Sequence, residues 1–274
     1  MRTVEFRWTV QAVGVNDETP PILEFDGDRN ALIDPAARSP IAGIPPAGVA
    51  CHFPDLIEAR FGHSETLARL PSLGVLKKVT FHGEPLAVFY PGQGASLAAV
   101  TYERVLAAGC HTVVACGGAG SLVPSLELGH VVVVDSAVRD EGTSYHYLPP
   151  SREVRSDNAV VETLRELAQE ASLSHTVGKV WTTDGFFRET PGKVAKRRNE
   201  GCIVVDAEAS AMLAVAQFRG ETFGQLLYAA DDLSGSTWHD RNWRLAHDAR
   251  AALFDLAATA ALRLAGPAAA NAIQ

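Results

Sequence analysis

From Gly48 onward, short valine-rich apolar runs alternate with segments of helical spacing. That alternation constrains the fold of this chain more than any other feature. The apolar runs are 77–81, 86–90, 112–116, 130–137, 176–183, 203–205 and 224–230. Runs this short and this apolar suit strands covered on both faces. Between them the helices have recognisable ends. Ser96 is placed to cap a helix that passes Val100 and Arg104 and stops at Gly109. Ser156 or Asp157 opens a second, with Val160, Leu164, Leu167 and Ala171 along one stripe. A third covers 207–218, and a last one covers 243–264, ended by Gly266-Pro267. Alternating strands and helices predict an α/β domain, and the hairpin-like pair 77–81/85–90 makes its sheet mixed. Residues 1–46, rich in Gly, Pro and Asn-Asp turn formers, read as an N-terminal arm with one short strand at its start. Residues 47–274 then form a single domain, within the size one α/β domain reaches.

Composition excludes several functions. A net charge of −8 is wrong for a general nucleic-acid binder, which displaces counterions with a surplus of Lys and Arg. The cluster Lys193, Lys196, Arg197 and Arg198 reads as the solvated face of a helix. No uninterrupted apolar run opens the chain, and the alanine-rich segment from Ala251 is broken by Asp255 and Arg263, so neither a secretory signal nor a membrane span is expected. Cys51, Cys110, Cys116 and Cys202 have neither C-x-x-C nor zinc spacing and suit a reducing cytoplasm. The histidines form no metal-ligand pattern, and no metal is expected.

Three segments carry polar or glycine residues directly after an apolar run, where α/β proteins place ligands. Cys116-Gly117-Gly118-Ala119-Gly120-Ser121 is either a plain tight turn or a turn whose backbone N–H groups cradle an anion. In Val205-Asp206-Ala207-Glu208-Ala209-Ser210, Asp206 suits a helix cap, and Glu208 suits a carboxylate accepting from two sugar hydroxyls. In Ala230-Asp231-Asp232-Leu233, adjacent acids after a strand read as a cap or as a general acid of raised pKa.

The stretch from Leu128 to Ser144 (LGHVVVVDSAVRDEGTS), following a Gly-Gly-Ala-Gly turn, resembles the strand-and-loop segment of uridine phosphorylases. The run 205–210 resembles their Glu-Met-Glu-Ser/Ala motif, and 230–233 falls where relatives have Ser-Asp or Asn-Arg. From Lys77 to Leu264 the order and spacing are similar to the nucleoside phosphorylase superfamily. The resemblance implies a central mixed β-sheet partly closed into a barrel and flanked by α-helices. It also implies a homo-oligomer (a dimer, or a hexamer built as a trimer of dimers) and cleavage of the N-glycosidic bond of a purine or pyrimidine nucleoside. Phosphate is the implied co-substrate, giving free base and ribose 1-phosphate, with no cofactor.

Carried over position by position, Glu208 would bind the ribose 2′- and 3′-hydroxyls, with Asp206, Ala207 and Gly94 in the substrate-binding set. Phe186 would stack on the base. Asp232 would protonate N7 of a purine, its pKa raised by Asp231, with Arg241 or Arg244 as helper. Gly117, Gly118 and Ala119 would form the phosphate-side loop. Against the family pattern, the Gly-Asp-Pro-x-Arg phosphate motif has Val49-Ala50-Cys51-His52-Phe53-Pro54-Asp55 as its counterpart. The arginine two residues before the glycines is Ala115, the methionine under the ribose is Ala207, and 188–192 lacks the Gln and Arg that read uracil. Two alternatives follow: a nucleosidase, with Asp55 or Glu58 activating water, and a non-catalytic nucleoside-binding protein. The acid at 232 favours purines, whereas the overall likeness leans to the pyrimidine branch.

Overall fold

The computed structural model describes residues 19–35, 41–72 and 74–266. The short strand expected at the start of the arm lies outside them. Among these residues ten strands form one mixed sheet: β1 (Ala47–Cys51), β2 (Glu65–Arg69), β3 (Val75–Phe81), β4 (Glu84–Phe89), β5 (Thr112–Ser121), β6 (Val131–Asp140), β7 (Glu153–Arg155), β8 (His175–Thr183), β9 (Cys202–Asp206) and β10 (Thr222–Asp232). The helices are α1 (Pro54–Phe61), α2 (Ala95–Ala107), α3 (Asn158–Glu170), α4 (Pro191–Asn199), α5 (Ala209–Arg219) and α6 (His247–Ala265).

The sheet is partly ring-like. β5, β9, β8, β6 and β10 pair in that order, and β10 returns to pair with β5. β1, β4, β3 and β2 extend from β5 as an open wing, with β3 and β4 forming the expected hairpin. One side of this sheet is covered by α2 and α5 through Ala98, Tyr102, Val105, Met212 and Val215. The other is covered by α3 and α6 through Leu164, Leu167, Leu253, Phe254 and Ala257. The alanines of α5 and α6 let these helices lie close to the strands, and the core is drawn from both layers.

Local chemistry explains where the elements begin. Asp157 accepts from the N–H groups of Ala159 (2.8 Å) and Val160 (3.2 Å), a cap that contributes about 1 kcal/mol to α3. Ser96 does not cap α2. The N-cap is Gly94, at φ 90°, a left-handed conformation that favours glycine. The basic residues of α4 are not one solvated face either. Arg197 is buried, bonds Asp140 (3.1 Å) and Glu200 (2.9 Å), and stacks 5.5 Å from the buried Trp181 ring. The Trp181 indole N–H also donates to Asp140 (2.9 Å), so an apparent charge cluster is partly a buttress of the β8 wall. Among the described residues no helix is long and apolar enough to cross a membrane.

Candidate active site

The site follows from how β5 is shared. Along its length β5 pairs with β10, from Thr112 to Ser121. On its other edge it pairs with β1 over Thr112–Cys116 and with β9 only at Gly120 and Ser121. Between those partners, residues 117–119 have no strand beside them on that edge. The sheet splits there. A crevice at the carboxyl ends of diverging strands is where an open α/β sheet binds its ligand. A cavity of about 370 Å³ occupies it, lined from the ends of β1, β4, β5, β8, β9 and β10.

Gly117, Gly118 and Ala119 line this cavity, but not as a turn. They are extended residues of β5, because β10 continues alongside and holds them straight. Their lack of bulk keeps the crevice open. A methyl group on Gly117 would meet the His52 side chain at 3.3 Å, and one on Gly120 would meet Leu233 at 2.5 Å.

β9 delivers Asp206, Ala207 and Glu208 into the split. Asp206 accepts from the Thr182 hydroxyl (2.7 Å) and the Ala209 N–H (2.8 Å), so it anchors the start of α5 as well as lining the wall. Glu208 accepts a 2.6 Å hydrogen bond from the Gly94 N–H. Gly94 is not among the residues lining the cavity, and its N–H holds the Glu208 carboxyl in position. Burial holds both carboxyl groups above the usual carboxylate range. Mutual charge adds to this at Asp206, and Asp184 adds to it at Glu208. An acceptor so placed, with Tyr90 beside it, is suited to hydroxyl donors.

Two polar side chains that the sequence reading missed lie deeper. His52 and Gln225 line the cavity, and His52 Nε2 and both amide atoms of Gln225 are buried without a protein partner. Gln225 is the in-register neighbour of Ala115, and the Cys51–Cys116 pairing sets His52 beside Gly117. Burial pulls the imidazole down to about 4, leaving it neutral at physiological pH. Buried polar atoms left unpaired by protein are paired by ligand or water. The signal was available: glutamine within an otherwise apolar strand run, 224–230.

Phe186, Glu189, Asp231, Leu233, Trp243 and Arg244 also line the cavity. Here the acid pair is corrected. Asp232 does not line the cavity; its carboxylate is turned to Arg241 and Ser234. It bonds Arg241 at 2.6 Å and the Ser234 N–H at 2.8 Å, and these contacts hold its carboxyl below the usual range despite burial. A group so held is a poor general acid at neutral pH. Arg241 also leaves the site, donating to Leu126 O (2.8 Å) and to Asp232. Asp231 and Arg244 are the acid and guanidinium that face the cavity. Asp231 accepts from the Trp238 indole N–H at 2.6 Å. Asp55 and Glu58, the candidate water activators, lie on α1 outside the cavity, and Asp55 is paired with Arg250. Among the described residues no group of three or more His, Cys, Asp or Glu side chains is placed to hold a metal ion.

The family model of the Phosphorylase superfamily matches residues 51–265, and the chain belongs to that family. A uridine phosphorylase of Treponema pallidum is 31% identical over 103 residues, covering 38% of this chain and 40% of the relative. A guanosine phosphorylase of Halorubrum lacusprofundi is 26% identical over 147 residues, covering 54% of this chain and 61% of the relative. Both matches span less than two thirds of those relatives. Purine nucleoside phosphorylase from Toxoplasma gondii, solved with immucillin-H, superposes with a TM-score of 0.68 at 21% identity, covering 85% of this chain and 98% of that one. Uridine phosphorylase from Vibrio fischeri superposes with a TM-score of 0.68 at 21% identity, covering 81% and 91%. These likenesses establish the fold.

Proposed function

We propose that this protein cleaves the N-glycosidic bond of a nucleoside, transferring the ribosyl group to phosphate. The observation that carries the reading is Glu208, a buried carboxyl fixed by the Gly94 N–H at the wall of a cavity that also presents an aromatic ring and further acids. Glu208 takes the ribose hydroxyls, Phe186 covers the base, and the further acids stabilise its departure. The nucleophile enters along the glycine stretch of β5, beside His52, Gln225 and Arg244. The names of the relatives, uridine and guanosine phosphorylase, support the same chemistry and leave the base open.

Hydrolysis is the second reading, and one observation favours it. The nucleophile end offers a neutral imidazole and an amide with one lining guanidinium, Arg244, where a phosphate dianion calls for a fork of charged donors. A nucleoside panel incubated with and without phosphate separates the two. Ribose 1-phosphate formed only with phosphate supports phosphorolysis. Free ribose at equal rates in both arms replaces phosphate with water, and no turnover of any nucleoside refutes both readings.

The reading includes a homo-oligomer working in the cytoplasm, with 47–274 as its catalytic domain and 1–46 as an arm. Exposed Phe186, Phe187, Trp238 and Leu245, on the segments that supply the base end, favour cover by a second copy. Light scattering of the purified protein tests this, and a monomer at working concentration would exclude it.

A further inference from the structure

We propose that Glu189 is the acid that protonates the departing base. The inference rests on the nucleoside-cleaving reading and adds a residue to it. Three carboxyl groups compete for the role. Asp232 faces away and is bonded through both oxygens, to Arg241 and to the Ser234 N–H. Asp231 faces the cavity, but its Oδ2 is already engaged by the Trp238 indole N–H at 2.6 Å. Glu189 follows the 3-10 turn Phe186–Arg188 and lines the same cavity as Asp231 and Phe186. Among the described residues its carboxyl makes no hydrogen bond, so either oxygen can meet a ligand.

The charges around Glu189 bear on its proton. Asp231 faces it from β10 and Lys193 from α4, while Arg244 and Glu208 line the cavity further off. Burial, then the charge of Asp231, push the Glu189 carboxyl up to about 7 against the opposing pull of Lys193. At neutral pH it keeps a substantial share of its proton, as a general acid must.

The step balances as follows. The C1′–N9 bond breaks and its electron pair stays with the purine. The Glu189 proton passes to N7, so that the base leaves neutral. A phosphate oxygen forms the new bond to C1′; in the second reading water forms it and releases a proton to solvent. Glu189, left as carboxylate, regains a proton from solvent.

The test compares inosine with 7-methylinosine, whose base leaves without taking a proton at N7. Glu189→Gln should lower kcat/KM on inosine by about 100-fold or more and leave 7-methylinosine within a few-fold. Retained turnover of the methylated substrate also shows that the variant folds. The alkaline fall of kcat/KM on inosine, centred near pH 7 in the wild type, should vanish in the variant. Equal losses on both substrates would overturn the proposal, and so would an unchanged rate on inosine. Selective loss in Asp231→Asn with Glu189→Gln unaffected would assign the proton to Asp231 instead. Wild-type turnover of uridine but of neither purine would remove the N7 step and leave the nucleoside reading standing. Inertness to all three would remove that reading itself.

Discussion

Asp232→Ala separates a structural acid from a catalytic one. In the wild type the carboxylate accepts from Arg241 at 2.6 Å and from the Ser234 N–H at 2.8 Å, with the two ion-pair side chains 15% and 21% exposed. A hydrogen bond involving a charged group contributes about 1.5–3 kcal/mol. Arg241 keeps its bond to Leu126 O in the variant, which limits the loss, and partial exposure screens the pair. The expected destabilisation is about 2 kcal/mol. For a domain of this size it should appear as a fall in Tm of roughly 4–8 °C and a lower urea midpoint at unchanged m. The sign with pH is fixed by the direction of the shift. The folded-state pKa is depressed, so the contribution is complete above the ordinary carboxylate value and disappears as pH falls through the folded one. The gap between wild type and variant should therefore close below about pH 4. Turnover of nucleosides should change by less than a few-fold. A stable variant that has lost about 100-fold or more in kcat/KM would refute the reasoning and return Asp232 to the chemistry.

Two further outcomes follow from the cavity. Glu208→Gln keeps an acceptor for the Gly94 N–H but loses the charge offered to ribose hydroxyls, so kcat/KM should fall by about 10- to 100-fold in steady-state assays; an unchanged value would exclude that role. His52 stays neutral in the fold down to about 4, whereas the unfolded chain takes up the proton near 6.5, so stability is lost as pH falls across that window. The loss approaches about 3 kcal/mol at its acid end. His52→Phe should flatten that portion of the stability curve in urea titrations, and parallel curves for the two proteins would contradict it.

Much of the fold was legible because buried strands and their flanking helices carry their own patterns. The runs at 112–116 and 176–183 fall within β5 and β8, and 130–137 starts one residue ahead of β6. What was not legible was anything set by a distant neighbour. β2 reads Glu-Thr-Leu-Ala-Arg and has no apolar period, since only pairing with β3 makes it a strand. The glycines after Cys116 look like a turn, and only β10 alongside shows that they are straight. In the site, Glu208, Ala207 and Phe186 were found from motif and position, and all three line the cavity. The choice between Asp231 and Asp232 depended on which face each presents, which a bulge in the β5–β10 register near 229–232 obscures. Arg244 and Arg241 are three residues apart with opposite fates, one facing the cavity and the other tied to Leu126 and Asp232.

The ring has a consequence for behaviour at high concentration. Strands paired on both sides offer no backbone for another chain to extend, and β5, β6, β8, β9 and β10 are in that condition for much of their length. Unpaired edges remain chiefly at β2 and β7, the two strands with a single partner among the described residues. Both are short, and both carry opposite charges near their ends, Glu65 with Arg69 and Glu153 with Arg155. Short charged edges resist strand-to-strand aggregation. A valine-rich chain of this kind is thereby protected from sheet stacking while native, and its exposure to that hazard is confined to the interval before β10 closes onto β5.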